Sequence, residues 1–339
     1  MNDNRWLFLF IQGVPCVYRC KHCDFAPVSG FKTLDINKII EIIDELISGT
    51  NKKNYNFKNY SVHLGDCALN HPDLPYWISY LKDRNIEGWL SIAMDGFVHK
   101  PVQQWQPVLI SILERGTEYF EFTLYGEGKT HDWFAGKERS YESILALADL
   151  WQSLGGKTIW NLFVHKKNLQ QSRKVQTEIS DRFKTSIQLA IWSFVGFGEE
   201  IEELRLDQND LKNFDQLEFE NLLSSKPEYE WIDELKESDE TLYPHQPNIV
   251  RIVVDSSLNV RMPYTRPGLG HQGIVISKYG SESGEMIIDK WFQEYQRIYS
   301  SYPNIKTLIE KCGDLKSSKL HSKSSIISKW MSKFQELSC

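Results

Sequence analysis

The sequence is poor in the features that mark membrane, secreted and nucleic-acid-bound proteins. No apolar run approaches the roughly 20 residues that span a bilayer. The start, Met1-Asn-Asp-Asn-Arg5, leads into an apolar segment with no positively charged region ahead of a small-residue cleavage site, so no signal peptide is read. Six cysteines in 339 residues, three of them clustered, are not a disulfide framework. Basic stripes are missing too. The formal net charge is −6, and residues 199–240 hold 16 acidic and 4 basic side chains, a net of −12, which leaves about +6 for the rest. The lysines near the C-terminus (Lys316, Lys319, Lys323, Lys329, Lys333) are spaced like the outside of a helix. The expectation is a cytoplasmic protein with neither a nucleic-acid nor a membrane partner.

What is present is ordinary in bulk and distinctive in order. Hydrophobic residues make up 41% and charged residues 25%, as in soluble globular domains. Aromatic content is high at 13%, enough for a large aromatic core or an aromatic-lined cavity. Trp6-Leu-Phe-Leu-Phe-Ile11 is an unbroken apolar run, the pattern of a strand buried on both faces in a parallel sheet. Ile36, Ile39, Ile40, Ile43, Leu46 and Ile47 form one helical stripe behind Asp35 as N-cap, with Gly49 as its stop. Strands then alternate with helices: strands over 60–64, 89–94, 119–125, 158–164 and 187–194, helices over 74–82, 102–114 and 141–154. Six β-α units predict an α/β fold with a parallel sheet curled into a partial barrel, its active residues on the loops at the C-terminal strand ends. Beyond residue 198 the rhythm breaks. An acidic connector precedes a predicted hairpin, Asn248–Asp255 and Leu258–Met262, and a mostly helical end.

The loop after the first strand reads Cys16-Val-Tyr-Arg-Cys20-Lys-His-Cys23. C-x3-C-x2-C supplies three thiolates, whereas structural zinc and ordinary electron-transfer clusters take four protein ligands. A [4Fe–4S] cluster on three cysteines leaves one iron open. In spacing and in place the segment resembles the radical S-adenosylmethionine (SAM) superfamily. That resemblance implies a (βα)6 partial TIM barrel, a cluster held by Cys16, Cys20 and Cys23, SAM bound at the open iron, and a 5′-deoxyadenosyl radical that takes a hydrogen atom from substrate. It implies an electron donor such as flavodoxin or ferredoxin, and His22 packed near the adenine.

Further motifs extend the resemblance. In Leu64-Gly65-Asp66-Cys67, Gly65 and Asp66 match the second glycine and the acid of the family's Gly-Gly-Glu-Pro motif, which holds the SAM amino group; Leu64 and Cys67 depart from it. Met94-Asp95-Gly96 stands where relatives read Thr-Asn-Gly, and Thr123 where they place a serine that reaches the ribose. Asn161 is a candidate for the SAM carboxylate. His131-Asp132-x-x-x-Gly136 recurs in enzymes related to the SPASM subgroup and implies a loop-shaping role. Val254–His271 resembles the SPASM stretch, but Tyr264 occupies the position of its first cysteine. The region from 199 to 339 therefore reads as a SPASM-like α+β cap lacking an auxiliary cluster, behind a barrel over 1–198.

Cys67 and Cys312 are buried hydrophobes or, alternatively, hydrogen-atom donors to a substrate radical. The expected function is radical chemistry on a small polar metabolite (epimerisation, rearrangement or decarboxylation) in natural-product biosynthesis. Modification of a ribosomally made peptide is the alternative. A non-catalytic zinc-binding interaction protein is the rival of another class.

Overall fold

The computed structural model describes residues 5–22, 32–52, 55, 57–65, 67–185, 187–190, 203–212, 225–238, 247–263, 273–300, 303–321 and 323–338. Cys23, Asp66 and Tyr264, and the end of the predicted sixth strand, lie outside the described residues.

The first half alternates as its apolar periods require. The strands are β1 (Arg5–Ile11), β2 (Phe57–His63), β3 (Ser91–Ala93), β4 (Tyr119–Leu124), β5 (Lys157–Phe163) and β6 (Ile187–Ala190). Between them run α1 (Ile36–Lys52), α2 (Leu74–Asp83), α3 (Gln106–Glu114), α4 (Gly128–Ala135) and α5 (Ser140–Ser153), with α6 (Ser172–Phe183) ahead of β6. All six strands pair only in parallel with one another. Among the described residues they do not form one hydrogen-bonded sheet. β1 and β2 belong to a five-stranded sheet, and β3-β4-β5-β6 form a second. An isolated parallel bridge, Ser61 to Glu87, links the β2 strand to the segment before β3.

After α7 (Gln208–Leu211), β7 (Lys226–Pro227) and α8 (Glu228–Leu235), the predicted hairpin forms as β8 (Ile249–Val254) and β9 (Asn259–Met262). β8 pairs in parallel with β1, Phe8 opposite Arg251, so the hairpin continues the first sheet outward. β10 (Ile274–Lys278) completes the order β10-β9-β8-β1-β2.

Side-chain alternation then divides each sheet into two faces. Leu7, Leu9 and Ile11 are at most 1% exposed and join the core with the α1 isoleucines and with Ile287, Ile288 and Trp291 of α9 (Gly284–Tyr299). On the second sheet Phe120 stacks on Trp151 and Trp160 packs on Phe183, which turns that face to α5 and α6. The opposite faces carry Phe8, Ser61 and His63 on the first sheet, and Glu121, Thr123 and Asn161 on the second.

Gly49 does not stop α1, which runs on to Lys52 with Asp35 accepting from the Asn37 N–H at 2.9 Å. A Cβ on Gly49 would lie 2.4 Å from the Gly284 carbonyl carbon, and one on Gly284 2.2 Å from the Glu45 carbonyl oxygen. The two glycines let α1 and α9 cross backbone to backbone, so a residue read as a helix stop is a packing site.

A smaller core closes the C-terminal region. Trp231, Ile232 and Leu235 of one helix (Glu228–Leu235) pack against Ile305, Leu308 and Cys312 of a second (Ile305–Cys312) and Ile326, Trp330 and Met331 of a third (Lys323–Ser338). Glu228 is fully buried at its centre. It accepts from Trp330 Nε1 at 2.7 Å, Lys329 Nζ at 2.8 Å and the Asp314 N–H at 3.0 Å, so its charge is compensated.

Candidate functional site

The loop that leaves β1 carries Cys16 and Cys20, both partly buried, and it is pinned from three sides. From the β3 side, the Val17 N–H donates to the Gly96 carbonyl at 3.2 Å. From the loop after β2, Asn70 Nδ2 donates to the carbonyls of Pro15 at 3.3 Å and Gly96 at 3.0 Å, while its Oδ1 accepts from the Val98 N–H at 2.8 Å. From α4, the carbonyls of Ala135 and Phe134 accept from the N–H groups of Arg19 and Lys21, each at 2.9 Å. Every partner sits beyond the C-terminal end of a parallel strand, where the topology gathers loops.

Gly96 forms the wall behind Cys16. Its φ is +66°, and a Cβ there would stand 2.1 Å from Cys16 Sγ and 3.5 Å from Cys67 Cβ. Glycine therefore meets two demands at once, a left-handed backbone and room for a thiol. Gly136 does the same on the α4 side: at φ +63°, a Cβ would lie 2.6 Å from the Arg19 carbonyl oxygen. The remainder of the His131-Asp132-x-x-x-Gly136 motif holds this corner. Asp132 accepts from the Arg139 and Tyr141 N–H groups and from the Ser140 hydroxyl, satisfying donors at the start of α5. His131 Nδ1 accepts from the Tyr125 N–H at 3.2 Å. The motif's last residue and the end of α4 thus pack directly against the cysteine loop.

The cysteine loop lies over the ends of β4 and β5. His22 stacks on Phe134 and Phe163, with ring centroids 5.6 and 5.4 Å apart, and packs at 5.2 Å on Tyr125. Burial pushes its pKa down to about 4, so the ring is neutral at pH 7. Tyr18 is 3% exposed and shares a 3.1 Å hydrogen bond with His99 Nε2. Burial first, then the negative charges of Asp95, Cys20 and Cys16, push its hydroxyl well above the usual phenol range. Asp95 is thereby placed close to the cysteine loop.

Gly65 follows the end of β2 by two residues at φ +71°, and a Cβ on it would lie 3.8 Å from the Ile11 carbonyl oxygen and from the Phe10 ring, beside the exit of β1. Cys67 is 5% exposed, and its thiol donates to the Val14 carbonyl at 3.3 Å. Thr123 lies opposite Asn161 in the β4–β5 register. Asn161 Nδ2 donates to Glu121 Oε1 at 2.8 Å, so one donor of that amide is engaged within the protein. Cys312 is 1% exposed in the C-terminal core, a cluster distinct from the one that packs against Cys16 and Cys20, and the structure does not bring it to the cysteine loop.

Gly65, Cys67, Asp95, Cys16, Cys20 and His22 therefore gather at one end of the parallel strands, with Thr123 and Asn161 on the strand face below. Among the described residues no three metal-ligating side chains converge; Cys23 lies outside them. Asn70 and Glu121 were not singled out from sequence, and Gly96 entered only as the last residue of the Met94-Asp95-Gly96 motif, with no part in seating the cysteines. A two-residue period already put Glu121 on the face of Thr123, and a glycine directly after a strand was the available sign of Gly96.

No protein-family model matches the chain, and no curated protein matches it in sequence. Solved structures do match it. SuiB of Streptococcus suis bound to S-adenosylmethionine is 11% identical, with 89% of this chain and 69% of that one covered, at a TM-score of 0.54. SuiB bound to precursor peptide SuiA gives 11%, 87% and 66%, at 0.52. Native anSMEcpe with bound AdoMet and Cp18Cys peptide is 12% identical over 98% of both chains, at 0.52. The chain spans about two thirds of the length of SuiB. These neighbours are radical SAM enzymes.

The chain shares its fold with these proteins.

Proposed function

We propose that this chain is a radical SAM enzyme: a partial (βα)6 barrel carries the cysteine loop, and the region after residue 198 closes it as a SPASM-like cap without auxiliary iron. The observation that carries the reading is the seat of the cysteine loop. Cys16 faces a wall stripped of its Cβ at Gly96, at the C-terminal ends of parallel strands, in a fold shared with proteins solved with S-adenosylmethionine.

The residues fit a thiolate-bound cluster. Cys16 and Cys20 are partly buried, the side-chain-free wall leaves room beside Cys16 Sγ, and backbone hydrogen bonds from three loops fix the ligand positions before binding. Cys16, Cys20 and Cys23 would hold a [4Fe–4S] cluster, which when reduced supplies the electron that splits bound SAM into methionine and a 5′-deoxyadenosyl radical. The chain's own residues position and shield. Gly65 and Asp66 are assigned to the SAM amino group, His22 to the adenine, Asp95 and Thr123 to the ribose side. Asn161, oriented by Glu121, is assigned to the carboxylate. Cys67, beside the site, remains a candidate hydrogen-atom donor, and Cys312 is assigned to packing.

For the substrate, SuiB and anSMEcpe were each solved with a peptide, SuiA and Cp18Cys, which favours peptide modification here. A small polar metabolite is the second reading, favoured by the compact polar set Glu121, Thr123 and Asn161 on the inner strand face. In either case the electron comes from a carrier such as flavodoxin or ferredoxin.

Anaerobic reconstitution tests the proposal. About four irons per chain, and release of 5′-deoxyadenosine from SAM under reductant, are the expected results. A colourless protein with a single zinc would sink it and restore the interaction-protein rival.

A further inference from the structure

The cysteine loop has an outer side that the radical chemistry leaves unexplained. Trp133, on α4, is 38% exposed although its neighbours Phe134 and Ala135 are fully buried. Two lysines hold its ring. Lys21 Nζ, from the cysteine loop itself, lies 4.4 Å from the ring centroid, and Lys167 Nζ, from the loop after β5, lies 3.9 Å away. Arg19 is exposed one residue from Cys20, and Lys137 follows Trp133 within about one helical turn.

This face is cationic on a chain whose net charge is −6. Its acids are mostly engaged: Asp132 by the start of α5, and Glu127 by Lys174, with Glu138 exposed beside them. Arg19, Lys21, Lys137 and Lys167 make no ion pair among the described residues. Exposed Lys and Arg elsewhere on the surface are commonly paired, as in Lys157–Glu118 and Arg84–Asp44. A large exposed aromatic ringed by cations without carboxylate partners has the composition of an interface anchor with a steering field.

The interior behind it is continuous with the thiol loop. Trp133 packs on Phe134 with centroids 6.2 Å apart, and Phe134 stacks on His22 at 5.6 Å. Phe134 also accepts the Lys21 N–H through its carbonyl, one residue from Cys20. An uninterrupted path of rings and hydrogen bonds thus joins the surface tryptophan to the cysteine loop.

We propose that the Trp133 face, with Arg19, Lys21, Lys137 and Lys167, is the docking site for a small acidic one-electron carrier protein, and that the electron enters the cysteine loop through it. The inference rests on the cluster assignment above. The step balances: one electron leaves the carrier's reduced centre, which is oxidised by one, and the cluster is reduced by one, with no bond made or broken at the interface. Charge complementarity selects the occupant, because a cationic rim attracts an acidic surface and an exposed tryptophan anchors it once docked.

The test uses the full-length reconstituted protein and a flavodoxin as probe. Binding of the oxidised flavodoxin is measured by calorimetry at low and moderate salt. The second-order rate of reduction by its hydroquinone is measured by stopped flow. The pair Lys137→Glu and Lys167→Glu is expected to weaken binding and slow reduction at least about tenfold and to flatten the salt dependence. The pair Lys306→Glu and Lys316→Glu, the same charge change at exposed positions of the C-terminal region, leaves both unchanged. Trp133→Ala weakens binding without altering the salt slope. Reduction by photogenerated deazaflavin radical, too small to need a docking face, stays at the wild-type rate in every variant. Wild-type flavodoxin binding by the double charge variant overturns the proposal, as does an equal loss with flavodoxin and deazaflavin. A wild-type protein that deazaflavin reduces normally isolates such a failure to the docking face. One that takes up no cluster overturns the cluster assignment and this proposal together.

Discussion

Replacing Gly96 by alanine isolates the geometry on which the site depends. Two penalties are written into that position. An alanine at φ +66° carries the left-handed cost of about 1–2 kcal/mol. Its Cβ would also stand 2.1 Å from Cys16 Sγ, against an ordinary contact of about 3.5 Å or more. In the metal-free protein the thiol escapes by turning about χ1, at roughly 0.5–1.5 kcal/mol if it ends off a staggered well. The fold should therefore survive with a loss of about 2–3 kcal/mol, a drop in Tm of several degrees. The turned thiol no longer points where a shared metal needs it, so iron uptake should fall to less than half of wild type. Gly155→Ala is the control. That residue sits at φ +98° with nothing within 4 Å of its added Cβ, so it carries backbone strain without the thiol collision. Thermal melts of the apo proteins and iron per chain after reconstitution are the two measurements. Full iron and wild-type SAM cleavage in Gly96→Ala would refute the geometry; equal iron losses in both variants would show that strain alone is responsible.

Cys20→Ala should abolish cluster absorbance and 5′-deoxyadenosine release while shifting Tm little, because a small, partly exposed side chain is removed. Asn70→Ala deletes hydrogen bonds to Pro15, Gly96 and Val98 at once, which should cost about 2–3 kcal/mol in a denaturant titration and lower iron occupancy. Stability should also fall on acidification. Burial lowers the pKa of both His131 and His165 to about 4, so between pH 6.5 and 4 the unfolded chain binds protons that the native chain refuses. Stability is then complete above pH 6.5 and is lost as pH falls through that window. His131→Gln should flatten the slope of Tm against pH between 7 and 5, and an unchanged slope would place the titration elsewhere.

The apolar periods made most of the fold legible. Strand β1, the isoleucine stripe of α1 behind Asp35, and the hairpin of β8 and β9 follow from residue spacing alone, because burial on one or two faces leaves a period of 3.6 or 2 in the chain. α4 escaped notice, since its eight residues are short and mixed in polarity. Gly49 misled because a glycine that stops a helix and one that admits a neighbouring helix are the same letter. The cysteine spacing likewise marked the site, while its walls stayed hidden: Gly96 and Asn70 are separated from Cys16 by more than fifty residues, and the Met94-Asp95-Gly96 motif does not say that its glycine faces a thiol.

Local order therefore settled which residues are strands, which face of α1 is apolar and which thiols share a loop; these are short-range consequences of side-chain chemistry. Pairing of β8 with β1, burial of Cys312 in a separate core, and the cationic ring around Trp133 came from folding, because each joins residues far apart in the chain. The Gly96 wall against Cys16 is of that second kind. It exists because parallel strands deliver their following loops to one end, where a missing Cβ in one becomes space for a sulfur in another.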